Sequence, residues 1–223
     1  MNRPIDAASI ILYKTIKNKK YLLMGRRPPK QKFMPDIYVF PGGAVEKEDK
    51  NVEYYKDYNS FELRALSHNC SKIKARAIGL AAIRETFEET GILIGKKNTK
   101  FSKAQPKDWS AFYEKNIQPR LDVLQYIARA VTPKGQIKRF NARFFICDAK
   151  HSFGSIIQND ELLEIDWYPI DNIIEKLNLA QVTQLVVKQA KDHFNRNRKK
   201  RANIAVPTYS RRKGNRVIRY KVY

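Results

Sequence analysis

Cysteine is scarce in this chain: Cys70 and Cys147 are the only two among 223 residues. A scaffold stapled by several disulfides is thereby excluded, and a reducing compartment is the default. Histidine is equally thin. His68, His151 and His193 share no spacing that would suit a zinc ion. Long apolar runs are missing, and none approaches the ~20 residues of a membrane-spanning helix. The opening Met1-Asn2-Arg3-Pro4-Ile5-Asp6 lacks the apolar core of a signal peptide, and Lys221-Val222-Tyr223 is not a peroxisomal address. A cytoplasmic protein without a transmembrane segment is expected. Acid is also in short supply, with 22 Asp and Glu against 44 Lys and Arg, for a formal charge of +22. That balance suits an anionic small molecule, a nucleic acid or an acidic surface, and says nothing about fold.

What the sequence does contain is a local excess of the scarce charge. Arg84-Glu85-Thr86-Phe87-Glu88-Glu89-Thr90-Gly91 carries three carboxylates at positions i, i+3 and i+4. On a helix all three point the same way and repel one another unless a cation lies between them. Oxygen donors at this spacing point to a hard divalent ion, Mg²⁺ or Mn²⁺. Upstream, Phe40-Pro41-Gly42-Gly43-Ala44-Val45 reads as a tight turn.

Hydrophobic content of 43% supports a core, and the length fits one domain with additions. Ala7 to Ile16 and Tyr21 to Met24 read as a hairpin around a polar turn, and Ile37 to Phe40 as a short buried strand. Phe61 to Asn69 reads as a weak helix with Ser60 as its cap, and Ile73 to Thr90 as a helix ended by Gly91. Trp109, Phe112 and Tyr113 suggest a short amphipathic helix over 107–116, with Trp109 and Phe112 expected to pack on its apolar face in preference to forming a substrate wall. Strands are expected over Asp122 to Val131, Asn141 to Asp148 and Glu164 to Pro169. Helices follow from Asp171 to about Leu177 and from Gln181 to Asn195. Beyond Asp192 no acidic residue occurs, and eleven Lys or Arg lie between Arg196 and Lys221. Arg216 to Val222 mixes basic and apolar residues as an edge strand would.

The turn and the acidic helix together resemble a Nudix box, the signature of hydrolases that cut diphosphates linked to another moiety. The second half, Arg84 to Ile92, departs from the family pattern only at Thr86, where an apolar residue is preferred. The first half runs from Gly43 to Asp49, with aspartate in place of glutamate. The halves are separated by Lys50 to Ile83, 34 residues where the family normally has seven. Closing a longer loop costs only logarithmically more, so a divided box can still close. The insertion is similar to that of a branch including eukaryotic coenzyme A diphosphatases. Pro133, Arg139 to Phe145, Asp160-Glu161, and Glu164 before Trp167 look like further parts of that branch.

This resemblance implies an α/β fold: an α/β/α sandwich around a mixed β-sheet, with a helical insertion at about 50–73 in a domain of residues 1–195. Residues 196–223 form a basic C-terminal extension, partly β. Glu85, Glu88 and Glu89 are the implied metal ligands with a backbone carbonyl of Gly43, and Glu85 also receives a proton from the attacking water. Arg84 is expected to position a carboxylate by a bidentate contact. Either Glu161 or Glu164 is a distal base or ligand. Arg26, Arg27, Lys30 and Lys32 are candidate contacts for further phosphates. The implied reaction is metal-dependent hydrolysis of a nucleotide-derived diphosphate, with coenzyme A or acyl-CoA as one substrate. Other nucleoside diphosphate derivatives and RNA 5′ ends are alternatives. A different class, an RNA- or ribosome-binding protein using the basic C-terminal segment, also fits the charge.

Overall fold

Alternation in the first strand sets the layering. Strand β1 (Ile5–Ile16) turns Ala8, Ile10 and Leu12 to one face and Ile11 to the other. In β2 (Lys19–Arg26), Leu23 opposes Leu22 and Met24 in the same way. Side chains alternate along a strand, so each face of the sheet needs its own cover. The computed structural model describes residues 3–31, 34–102, 105–196, 205–212 and 215–223.

Strands β3 (Tyr38–Val39) and β4 (Gly42–Ala44) flank the Pro41 turn, and β3 pairs with β2 while β4 pairs with β1. The chain continues through α1 (Ser60–Ser67), α2 (Lys72–Thr90), β5 (Leu93–Lys97), α3 (Ser110–Glu114) and β6 (Ile117–Pro119). Then come β7 (Gln125–Val131), β8 (Phe140–Asp148), β9 (Ser152–Phe153), β10 (Leu163–Pro169), α4 (Ile173–Lys176) and α5 (Gln181–Asn195). Strands β11 (Val206–Arg212) and β12 (Asn215–Lys221) complete it. The main sheet runs β10-β2-β1-β8-β7-β11-β12. Pairs β1–β8 and β7–β11 are parallel and the others antiparallel, so the sheet is mixed. A small second sheet runs β6-β5-β9.

Helices α1, α2 and α3 cover the Ile10 face, and α4 and α5 cover the Ile11 face. The expected α/β/α sandwich is therefore present. The insertion is anchored rather than looped out, because Val52, Tyr58, Ala65 and Leu66 are buried in the α2-side core. Trp109 and Phe112 belong to that core as well.

Local expectations differ at several ends. Asn59, not Ser60, caps α1, its side-chain oxygen accepting from the backbone N–H of Phe61 and Glu62 at 3.1 Å each. Ser71 caps α2, which starts at Lys72. Strand β7 begins at Gln125 because Leu121 to Leu124 form a turn. Helix α4 is a single turn without a side-chain cap. Strand β11 carries Pro207, which blurs its signal in the sequence. No helix among the described residues is long and apolar enough to cross a membrane.

Candidate active site

Helix α2 presents the three glutamates from its last two turns. Its end is set by Gly91, at φ 75°, whose N–H reaches the Phe87 carbonyl at 2.7 Å. Thr86 stands where an apolar residue was expected, and it is fully buried. Its hydroxyl donates to the Ala82 carbonyl at 2.7 Å, so the polar atom is satisfied within the helix.

Two glycines let the turn lie close to its neighbours, Gly42 to β1 and Gly43 to α2. Gly42 sits at φ 153°, and a Cβ there would strike the Ala8 carbonyl. Its N–H donates to Glu89 Oε2 at 2.7 Å. A Cβ on Gly43 would fall onto the Glu85 carboxylate. The missing Gly43 side chain thus leaves the space that the Glu85 carboxylate occupies beside β4, and the missing Gly42 side chain lets the turn lie close against β1.

Arg84 joins the two halves of the box. Its Nε and Nη2 donate to Asp49 Oδ1 and Oδ2 at 3.0 and 3.2 Å, and Nη2 also donates to the Ala44 carbonyl at 3.0 Å. Nη1 donates to Glu85 and Glu88 at 3.0 and 2.8 Å. Asp49 is wholly buried and Arg84 nearly so. Burial works against the guanidinium charge, but Asp49, Glu85 and Glu88 more than offset it and raise its pKa. The expected bidentate contact therefore goes to Asp49, across the insertion.

A cleft of about 560 Å³ opens between this box and α5, on the Ile11 side of the sheet. Glu85, Glu89, Gly42, Gly43, Arg27 and Glu161 all line it. Burial pushes the Glu85 carboxyl up to about 7 and the Glu89 carboxyl up to about 8. Burial also raises Glu88, against the pull of Arg84. Burial lowers Arg27, with Glu89 opposing that shift.

The candidate residues divide between this cleft and elsewhere. Glu161 reaches it and Glu164 does not. Glu164, at φ 50°, pairs with Arg26 at 2.5 Å and accepts from the Tyr38 hydroxyl. Arg26 also pairs with Asp36 at 2.5 Å, so its charge is engaged away from the cleft. Arg27, the next residue, lines the cleft, while exposed Lys30 does not. Lys32 lies outside the described residues, as do residues 198–201 of the basic segment.

Three residues on or beside the cleft were not singled out from the sequence. Lys138 and Gln31 line it. Asn159 donates from Nδ2 to the carbonyls of Glu88 and Glu89, both at 2.9 Å, and its Oδ1 accepts from the N–H of Glu161 at 2.9 Å and Leu162 at 3.1 Å. It ties the open end of α2 to the loop carrying Glu161. The only trace of this in the sequence is an asparagine two residues before Glu161, a spacing that side-chain-closed turns favour.

The donor set suits a hard divalent cation in chemistry. All side-chain donors are carboxylates, and two of them hold protons above their ordinary range in one cleft. A cation there would favour their ionised forms. The cage is not closed, however. Among the described residues no three acidic, cysteine or histidine side chains converge as a ligand group. Glu88 instead turns one oxygen to Arg84.

No protein-family model matches the chain. Its curated relatives include "Putative nudix hydrolase 7" of Caenorhabditis elegans, 29% identical over 73% of this chain and 50% of the relative. They also include "Acyl-coenzyme A diphosphatase NUDT19" of Xenopus laevis, 24% identical over 69% and 54%. The chain spans about half the length of these curated relatives. Among solved structures it resembles a NUDIX hydrolase from Alicyclobacillus acidocaldarius, with a TM-score of 0.68 at 24% identity, covering 84% of this chain and 91% of that one. The MutT protein of Bacillus halodurans aligns with a TM-score of 0.52 at 14% identity, over 97% of both chains. The NUDIX domain of Shewanella oneidensis NrtR, solved with ADP ribose, aligns at 0.51 and 10% identity, over 87% and 91%. These structural likenesses carry the fold, and the sequence relatives and the divided box make the chain similar to Nudix hydrolases, an acyl-coenzyme A diphosphatase among them.

Proposed function

We propose that the chain is a divalent-metal-dependent diphosphatase acting on a nucleotide-derived diphosphate, with coenzyme A or an acyl-CoA as first candidate. One observation carries this reading: the divided box reassembles so that Glu85, Glu89 and Glu161 share a cleft with Arg27. The name of the Xenopus relative supports the coenzyme A part. Glu85, Glu88, Glu89 and the Gly43 carbonyl would hold Mg²⁺ or Mn²⁺. When bound, the metal supplies charge neutralisation at the phosphoryl group and a lower pKa for water.

The chain's own residues supply the remainder. Arg84 and Asp49 fix the start of the acidic turn against β4. Glu85, already poised near neutrality, accepts a proton from attacking water. Glu161 faces the same cleft as the distal base or ligand. Arg27 and Lys138 bring positive charge to the diphosphate. A cytoplasmic location belongs to this proposal and rests on composition.

The test is turnover of a panel with Mg²⁺ or Mn²⁺: coenzyme A, acyl-CoA, NADH, ADP-ribose, dinucleoside polyphosphates and 5′-triphosphate RNA, with products identified by mass. Cleavage within the diphosphate of coenzyme A, abolished by EDTA, is expected. Absence of metal-dependent cleavage across the panel overturns the reading. Binding of the RNA member, measured against salt, tests the basic C-terminal segment as a nucleic-acid contact.

A further inference from the structure

The glutamate cleft does not end at α5. A second hollow of about 380 Å³ lies between β7, the first turns of α5 and β11. It shares Met34, Ala130, Thr132, Ala180 and Val182 with the cleft, so the two form one trough. Its character changes along its length. One end holds carboxylates and Arg27, and the other is lined by Val131, Pro133, Leu185 and Tyr209.

The far wall is firmly set. Tyr209 of β11 lies in register with Ala130 of β7. It is 7% exposed, and its hydroxyl donates to the Leu185 carbonyl at 3.5 Å. Arg211 donates to Gln181 Oε1 at 2.8 Å, pinning the same strand to the first turn of α5. Val182 and Leu185 are three residues apart on α5 and therefore share a face. Ala130 is small and leaves depth between them and the sheet. The Thr132 hydroxyl already accepts from the Phe140 N–H at 2.9 Å. Thr132, Gln181, Ser210 and Arg211 are engaged in hydrogen bonds and Gln136 is exposed at the rim, so the interior of this end offers mostly hydrocarbon.

We propose that this trough seats an apolar, hydrocarbon arm of the diphosphate substrate, and that Val182, Leu185 and Tyr209 set which arms are preferred. The proposal rests on the diphosphatase reading for its reaction but not for its binding. With the diphosphate held at the carboxylate end, an arm directed along Val182 would run between α5 and the β7–β11 pair. Each methylene buried there raises affinity roughly fourfold, so a few suffice for strong selection.

Titration calorimetry on the whole chain in EDTA, with coenzyme A, butanoyl-CoA and decanoyl-CoA, tests this. The wild-type chain is expected to bind decanoyl-CoA at least about thirtyfold more tightly than coenzyme A, with butanoyl-CoA between them. Val182→Trp, which fills the trough, and Leu185→Gln, which makes its wall polar, should each bring that ratio down at least tenfold. With Mg²⁺ present, the ratio of kcat/KM for the long and short substrates should fall in step, through KM. Circular dichroism melts identify a variant that fails to fold, and the other variant then decides. Equal binding of the three ligands by the wild-type chain overturns the proposal. So does an unchanged ratio in a folded variant. A preserved binding ratio without any hydrolysis supports the trough and removes the diphosphatase reading.

Discussion

Two arginine clusters of similar make-up sit in different surroundings. Arg84 holds Asp49, Glu85 and Glu88, and Arg26 holds Asp36 and Glu164. The Arg84 side chain is 4% exposed and Asp49 0%, whereas Arg26 is 24% exposed against 58% for Asp36 and 50% for Glu164. Water screens the second cluster and barely reaches the first. An exposed ion pair is worth ~0–1 kcal/mol, while removing one partner of a buried pair costs ~3–5 kcal/mol. Composition and spacing did not separate these clusters; burial does. The first braces Glu85, which lines the cleft, and the second fastens β10 and the loop before β3 to β2.

The sharpest way to test the contrast is to alter the cleft side itself. Glu89→Gln should lose at least about a hundredfold in turnover, since it removes a charge that ligand and substrate chemistry need. The metal-free melting temperature should hold or rise, because burial makes the Glu89 charge unfavourable and a glutamine can still accept from the Gly42 N–H. Near-wild-type turnover would sink the role given to Glu89.

Arg84→Ala should come next, with about 3–5 kcal/mol lost in urea unfolding, because Asp49 is left buried without a partner. Arg84→Lys should recover part of that stability but little turnover, since an ammonium cannot make the bidentate contact. A loss below about 1 kcal/mol in the alanine variant would place this pair with the surface clusters.

The pH dependence follows from the same end of the molecule. In the unfolded chain Glu85 and Glu89 titrate near the ordinary 4.5, and in the folded chain at about 7 and about 8. The folded chain therefore binds more protons between those values. The contribution of these two groups to the stability of the metal-free protein is fully present below 4.5 and is lost as pH rises through about 8. Melts in EDTA from pH 5 to pH 9 measure it, and added Mg²⁺ should flatten the decline. A melting temperature that climbs across that range in EDTA would contradict it.

The smallest effect should come from the exposed cluster. Glu164→Gln should cost less than about 1 kcal/mol and leave turnover within a few-fold of wild type. A large loss of kcat would return Glu164 to the reacting centre in place of Glu161.

Much of the fold was legible because its signals are local. Alternation in β1, the apolar spacing and Gly91 stop of α2, and α5 from Gln181 to Asn195 all appeared in the structure at or near their expected bounds. The cap of α1 moved by one residue because Asn59 accepts two N–H groups where Ser60 was expected to serve. The candidate site was legible only in part. The two halves of the box announced themselves, but Asp49 lies across an insertion, and nothing near it in sequence shows that it is buried against Arg84. Asn159 was missed because its partners lie on α2, about 70 residues away.

By itself, then, the sequence determined the chemistry available: three glutamates on one helix face, a glycine turn to receive them, and an arginine to brace them. Periodicity and backbone permissiveness are properties of short segments, so a one-dimensional reading reaches them. The tertiary structure alone decided which charges share the cleft. Arg26 and Arg27 are neighbours, yet one is committed to Asp36 and Glu164 and the other lines the cleft. Glu161 and Glu164 differ in the same manner, the latter turned aside at φ 50° beside an irregularity in the β10–β2 pairing. The trough past α5 exists only because β11, the partner of β7 in the sheet, returns late in the chain to supply Tyr209. Burial and convergence arise between segments far apart in sequence, and that is why folding had to assign them.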